Sequence, residues 1–80
     1  MSFVMYSNTW CVYCKRLKNQ LARMSISFEE INIEEVAGTA EIVEKVNNGN
    51  RTVPTLVFSD GSAMTNPSAQ QVADKLAELS

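Results

Sequence analysis

The tightest constraint on this chain is Trp10-Cys11-Val12-Tyr13-Cys14-Lys15-Arg16, which holds the only two cysteines among its 80 residues. Phe3-Val4-Met5-Tyr6 before it reads as a short buried strand over about 2–7. After it Cys14, Leu17, Leu21 and Met24 recur at spacings of three and four, which predicts one apolar face of a helix over about 12–24. The cysteines therefore sit where a strand hands over to a helix, with Cys11 near the N-cap and Cys14 at about N3.

An N-cap side chain accepts hydrogen bonds from the backbone N–H groups of N2 and N3, so a sulfur at Cys11 would face the N–H groups of Tyr13 and Cys14. These donors favour thiolate over thiol. The helix dipole contributes about 0.3–1 kcal/mol, up to ~2 where partly buried, and one pKa unit corresponds to about 1.4 kcal/mol. The dipole alone thus lowers a thiol pKa by roughly one unit. The N–H···S bonds, Lys15 and Arg16 must supply the rest of any larger shift. Cys14, a turn further in and on the apolar stripe, receives less of this help. Cys11 is expected to be the exposed nucleophile and Cys14 the buried partner.

A disulfide needs Cβ atoms about 3.5–4.5 Å apart, whereas helix neighbours three apart stand about 5–6 Å apart. Closing the ring therefore bends the first turn, and so small a ring gains little loop-closure entropy. Both effects favour easy reduction. The alternatives are half a zinc site or two inert core thiols. Zinc needs four ligands, and the chain has no histidine and no third cysteine, so no metal site is expected.

Eighty residues form one domain, expected over 1–80, with a core only just sufficient. The net charge of −2, with acids and bases interspersed, gives no electrostatic footprint for nucleic acid or an anionic membrane. The N-terminus lacks a basic region followed by a long apolar run, and nothing approaches a span of about 20 apolar residues. A cytoplasmic protein is expected, where a lone cysteine pair is more often catalytic than structural.

Beyond the dithiol, Ser7-Asn8-Thr9 is a polar turn. Trp10 either covers the side of the dithiol or anchors the turn while partly exposed, and the two can coexist. Phe28, Ile31 and Ile33 partly alternate with polar residues, predicting a strand over about 27–33 that a helical crossover can bring parallel to the first. Val36, Ala40, Val43 and Val46 predict a second helix over about 35–47, weakened in its first turn by Gly38 and stopped by Asn47-Asn48-Gly49-Asn50. Its charges, Glu34, Glu35, Glu41, Glu44 and Lys45, read as a solvated face. Thr55–Ser59 and Ser62–Thr65 are strand-like runs around Asp60-Gly61, the preferred type I′ hairpin turn. Asn66 and Pro67 read as the cap and first residue of a last helix, with Ala69, Val72, Ala73, Leu76 and Leu79 as its stripe. The order β-α-β-α-β-β-α suggests an α/β fold of four strands with helices on both faces. The dithiol lies at the C-terminal end of the first strand, where open α/β sheets place their sites.

With the dithiol at the first strand–helix junction, Arg51-Thr52-Val53-Pro54 midway and Asp60-Gly61 before a final helix, the chain resembles the glutaredoxin branch of the thioredoxin fold from end to end. Cys-x-Tyr-Cys-Lys is similar to the glutaredoxin motif, and Trp10 before the first cysteine is similar to thioredoxin. The strongest resemblance is to the mycoredoxins, whose Trp-Cys-x-Tyr-Cys, Asn-Arg-Thr-Val-Pro-Thr, Phe-x-Asp-Gly-Ser and Thr-Asn-Pro-Ser segments match residues 10–14, 50–55, 58–62 and 65–68. Mycoredoxins reduce mixed disulfides with mycothiol, the thiol that some bacteria use instead of glutathione.

The resemblance implies a four-stranded mixed sheet and a thiol–disulfide oxidoreductase with no bound cofactor and mycothiol as reducing co-substrate. It implies that Cys11 attacks a mycothiol–protein disulfide and that Cys14 can close a redox disulfide with it as resolving cysteine, a secondary route for mycothiol mixed disulfides. It implies a cis Val53–Pro54 bond lying across from the dithiol, with Val53 backbone groups offered to an extended thiol. Trp10, Val12, Tyr13, Lys15, Arg51 and Thr52 would line the substrate site with Val53 and Pro54, as would Thr65, Asn66 and Ser68. The implied partners are mycothiol, S-mycothiolated proteins and, through mycothiol, mycothiol disulfide reductase, acting on a monomer.

One departure from typical glutaredoxins matters. Those carry Gly-Gly and then an acidic residue to hold the glutamyl end of glutathione, where this chain has Thr65-Asn66-Pro67-Ser68. Neutral hydroxyl and amide groups suit the sugar–inositol part of mycothiol better than a zwitterion, while helix capping by Asn66 or Ser68 is a compatible second role. Two other functions compete. One is a glutaredoxin-like electron donor reduced by a thioredoxin reductase, as for the hydrogen donors of ribonucleotide reductase. The other is an iron–sulfur cluster carrier, in which two chains and two small thiols hold a cluster through Cys11.

Overall fold

The computed structural model describes residues 3–80, so the predicted start of the first strand at residue 2 lies outside the described residues. Seven elements follow in order: β1 (Phe3–Ser7), α1 (Val12–Arg23), β2 (Glu29–Asn32), α2 (Thr39–Val46), β3 (Thr55–Phe58), β4 (Ala63–Thr65) and α3 (Ala69–Leu79). They form the expected α/β thioredoxin fold, a mixed sheet in the order β2-β1-β3-β4. β1 runs parallel to β2, pairing Tyr6 with Ile31, and α1 supplies the long crossover that a parallel pair requires. β1 is antiparallel to β3, pairing Met5 with Leu56 and Tyr6 with Thr55, and β3 is antiparallel to β4. Among the described residues no helix is long and apolar enough to cross a membrane.

Strand alternation divides the interior. Phe3 and Met5 of β1, with Leu56 and Phe58 of β3, face one side and pack with Leu17 and Leu21 of α1 and Ala69 and Val72 of α3. Leu21, Met5, Leu56 and Val72 are wholly buried, each stabilising the fold by about 1.5–3 kcal/mol. Phe3 closes the far end of this core, its ring 5.4 Å from Phe28 and 5.2 Å from Phe58. Tyr6 and Thr55 point to the opposite face, where the amide of Asn47, at the end of α2, bonds the Thr55 hydroxyl. The sheet therefore has helices on both sides, as expected.

Several element ends differ from the sequence reading. The predicted second helix begins at Thr39 rather than near 35, because Gly38 at its N-cap has φ 85°, a left-handed conformation that glycine adopts without a steric penalty. Val36 consequently precedes the helix and is exposed, Val46 is exposed at its end, and Val43 alone of the predicted stripe is wholly buried. β2 is shorter than predicted, spanning Glu29–Asn32. The hairpin is not type I′: the Gly61 N–H bonds the Phe58 carbonyl at 2.9 Å and the Phe58 N–H bonds the Ser62 carbonyl at 2.8 Å. Within this turn only Gly61, at φ 90°, is left-handed. That is a three-residue loop closed by a glycine bulge, which Asp60, outside the left-handed region, can join without strain.

The last helix is not capped by Asn66. Asn66 is left-handed at φ 47°, Pro67 lies outside the helix, and Ser68 is the N-cap. The Ser68 hydroxyl accepts from the Gln71 N–H at 3.1 Å while the Gln71 side chain accepts from the Ser68 N–H at 2.8 Å. This reciprocal pair satisfies two donors that the first turn would otherwise leave free.

Candidate active site

β1 ends at Ser7, and the chain turns through Asn8-Thr9-Trp10 into α1. The Asn8 side-chain oxygen accepts the Trp10 N–H at 3.2 Å, forming a turn that a short amide side chain makes locally. The following loop braces it. Glu34 accepts the Thr9 N–H at 3.0 Å, Asn32 donates to the Thr9 hydroxyl at 3.1 Å, and the Ile33 N–H continues the ladder to the Ser7 carbonyl at 2.9 Å. Glu34, which the charge pattern assigned to the solvated face of a helix, instead precedes that helix and fixes the approach to the dithiol.

Cys11 is the N-cap of α1, at φ −85° and ψ 103°, and Cys14 is at N3. The two are disulfide-bonded, with their Cα atoms 5.2 Å apart. The Cys14 N–H donates to the Cys11 sulfur at 3.0 Å. It is the only cap bond to that sulfur among the described residues, so the expected second donor, Tyr13, is not engaged. Cys11 is also less open than expected, 8% exposed against 1% for Cys14. The order of exposure holds, but both cysteines are buried.

Trp10, 84% exposed, does not cover the dithiol. With Val12 and Tyr13, also well exposed, it forms an apolar rim beside Cys11. The Arg16 guanidinium stands 6.0 Å from the centre of the Tyr13 ring, within reach of a cation–π contact. Lys15 is turned the other way, into a depression of about 480 Å³ that Cys14, Lys18, Glu30 and Asn32 help to line. There Lys18 pairs with Glu30 at 2.9 Å, and the buried Ser7 hydroxyl donates to the same carboxylate at 2.8 Å.

The Val53–Pro54 bond is cis, as the resemblance implied. Because Tyr6 pairs with Thr55, this bond lies at the same end of the sheet as the turn into Cys11. The Asn66 N–H donates to the Pro54 carbonyl at 2.7 Å, which holds Thr65-Asn66 against the proline loop. Thr52, Val53, Pro54, Thr65 and Asn66 are thus brought together. Two predicted site residues point elsewhere: Arg51 pairs with Glu44 at 3.2 Å, and Ser68 lies beside Gln20, Arg23 and Met24 at the far half of α1.

Sequence reasoning missed Asn47, read only as a helix stop. Its amide nitrogen donates to the Thr55 hydroxyl at 2.9 Å and reaches the Thr52 carbonyl at 3.5 Å, while its oxygen accepts the Thr65 hydroxyl. The only available signal was composition: an asparagine just before a glycine-containing turn, with no spacing to tie it to residues 52 and 65.

Comparison with known proteins gives a consistent result. The chain matches the family model for glutaredoxins over residues 3–63. It is 47% identical over 78 residues to a protein of Mycobacterium tuberculosis described as a glutaredoxin, covering 98% of this chain and 93% of that one. It is 40% identical over 74 residues to Mycoredoxin 1 of Corynebacterium glutamicum, covering 92% and 91%. The crystal structure of a glutaredoxin from Methanosarcina mazei superposes with a TM-score of 0.79 at 22% identity, covering 94% of this chain and 77% of that one.

Proposed function

The chain belongs to the glutaredoxin family and is a thiol–disulfide oxidoreductase, and we propose that it reduces mixed disulfides between mycothiol and protein cysteines, with Cys11 as nucleophile and Cys14 as resolving thiol. The Cys11 thiolate attacks the mycothiol sulfur of the mixed disulfide. The bond to the protein sulfur breaks, and that sulfur leaves as a thiolate and takes a proton from water. Cys11 then carries mycothiol. A second mycothiol thiolate attacks the carried sulfur, forming mycothiol disulfide and freeing Cys11; mycothiol disulfide reductase regenerates the thiol. In the alternative exit Cys14 attacks Cys11, and mycothiol leaves as the Cys11–Cys14 bond forms.

The observation that carries this reading is the Asn66 N–H bond to the Pro54 carbonyl, which sets neutral Thr65 and Asn66 against the proline loop. Exchange depends on thiol pKa and access, and glutathione and mycothiol offer similar cysteine sulfurs, so discrimination must come from their non-reacting ends. With no acidic residue at 65–68, the glutathione ammonium has no carboxylate partner there. Leaving a ligand's polar groups unmet is an effective route to selectivity.

A surface ion pair is worth about 0–1 kcal/mol and a factor of ten needs about 1.4 kcal/mol. Tenfold discrimination therefore requires several such contacts to fail together. The test measures one mixed-disulfide substrate with each small thiol and its matched recycling reductase. We expect mycothiol to be faster by roughly tenfold or more. Equal rates would return the chain to the general glutaredoxins. Efficient direct reduction by NADPH and a thioredoxin reductase, with neither thiol effective, would favour the electron-donor role.

A further inference from the structure

We propose that Asn47 is a positioning residue that sets the geometry of the small-thiol groove, although it stands outside the motifs on either side of it. The inference rests on the reading of residues 52–54 and 65–66 as that groove, and it deepens that reading. Three segments meet at this one side chain: the end of α2, the loop leading to Pro54 and, 18 residues on, the last residue of β4.

The hydrogen-bond directions are fixed by proton count. Thr55 is wholly buried and spends its single hydroxyl proton on the Thr52 carbonyl at 2.7 Å. It can only accept from its other neighbour, so the Asn47 nitrogen must face Thr55 and the Asn47 oxygen must face Thr65. No flipped amide satisfies both. The backbone agrees: Asn47 is the C-cap of α2, its N–H bonded to the Val43 carbonyl at 3.1 Å, and its carbonyl accepts from the Asn50 side chain at 3.2 Å. The side chain is held from behind as well as in front.

Two consequences reach the groove. The Thr52 carbonyl receives the Thr55 hydroxyl and the Asn47 amide together, which fixes the backbone immediately before Val53. The Thr65 hydroxyl gives its proton to Asn47, so its oxygen offers only lone pairs to a ligand. A group docking on Thr65 must then be a donor, such as a sugar or inositol hydroxyl, and a carboxylate is disfavoured there.

The test uses Asn47→Asp, which keeps the size and the acceptor toward Thr65 but cannot donate to Thr55 or Thr52, together with Asn47→Ala and Thr65→Val. Each is assayed with whichever of mycothiol or glutathione the wild type uses faster, so failure of the mycothiol reading leaves this test intact. Losing hydrogen bonds that orient a binding surface should raise KM for the thiol about three- to tenfold, with kcat within about twofold. Alkylation of Cys11 by iodoacetamide, measured in a Cys14→Ser background, needs no groove and should keep its wild-type rate. Should Asn47→Ala fail to fold, Asn47→Asp and Thr65→Val carry the measurement. The inference is overturned if Asn47→Asp retains the wild-type KM, or if alkylation rate and KM change together.

Discussion

The Cys14 backbone N–H points at the Cys11 sulfur from 3.0 Å, one cap bond directed from the second cysteine to the first. On reduction that donor remains in place at the start of α1, where it favours a negative sulfur at Cys11 and does nothing for Cys14. Thiolate absorbance against pH should therefore show Cys11 ionising at lower pH in Cys14→Ser than Cys14 does in Cys11→Ser. Cys14→Ser should retain mycothiol-dependent turnover, and Cys11→Ser should lose it. A lower-titrating Cys14, or an inactive Cys14→Ser, would reverse the assignment.

Leu21 is wholly buried among residues from α1, α3 and both central strands. Leu21→Ala should cost about 2–5 kcal/mol, a large part of the roughly 5–15 kcal/mol that holds a domain folded. Urea unfolding should show a lower midpoint with an unchanged slope. A loss below about 1 kcal/mol would mean that the site collapses around the smaller side chain.

Ser68, not Asn66, caps α3. Ser68→Ala should cost about 1 kcal/mol, or roughly 4–8 °C in melting temperature for a domain of this size. Asn66→Gly should cost little or raise the melting temperature, because glycine takes the left-handed φ of 47° freely. If Asn66 were the cap, glycine there would again cost only a few tenths of a kcal/mol, so the Ser68 variant decides.

Asp60 is held below its ordinary value of 3.8, first by the Ser62 hydroxyl and then by the Ser62 N–H, both donating to one carboxylate oxygen, with Lys75 adding to the effect. A depressed acid contributes stability above its unfolded value and loses it as pH falls through the folded one. The melting-temperature difference between wild type and Asp60→Asn should be small, since the group is exposed. It should be constant at neutral pH, begin to shrink as pH falls below 3.8, and vanish only once pH has fallen through the lower folded value. A difference that persists in acid would assign the effect to turn geometry instead of charge.

The dithiol, the order of elements along the chain and the last helix were legible because each rests on local rules: a period of three to four, alternation, and a capping residue near an apolar stripe. The ends were less legible where a single backbone angle decides. Gly38 and Asn66 both adopt left-handed conformations that the residue names permit without requiring. Asn66-Pro67 in particular reads as cap and first helical residue, with Ser68 the other capping candidate, and the Ser68–Gln71 pair decides for the later start. The site divided in the same way. Cys11 and Cys14 follow from spacing, whereas Asn47 and Glu34 act through partners 18 and 25 residues away that no local pattern connects.

The hairpin tip offers a different use of this geometry. Gly61 closes the turn beside Phe58, and Phe58 pairs with Phe3, at the opposite end of β1 from the turn into Cys11. Strands rise about 3.3 Å per residue, so a label or surface linker attached at Ser59 or Asp60 would stand well over ~10 Å from the dithiol. The protein can therefore be immobilised by this loop with its redox end facing solution, as an electrode coating or a fused thiol sensor would require.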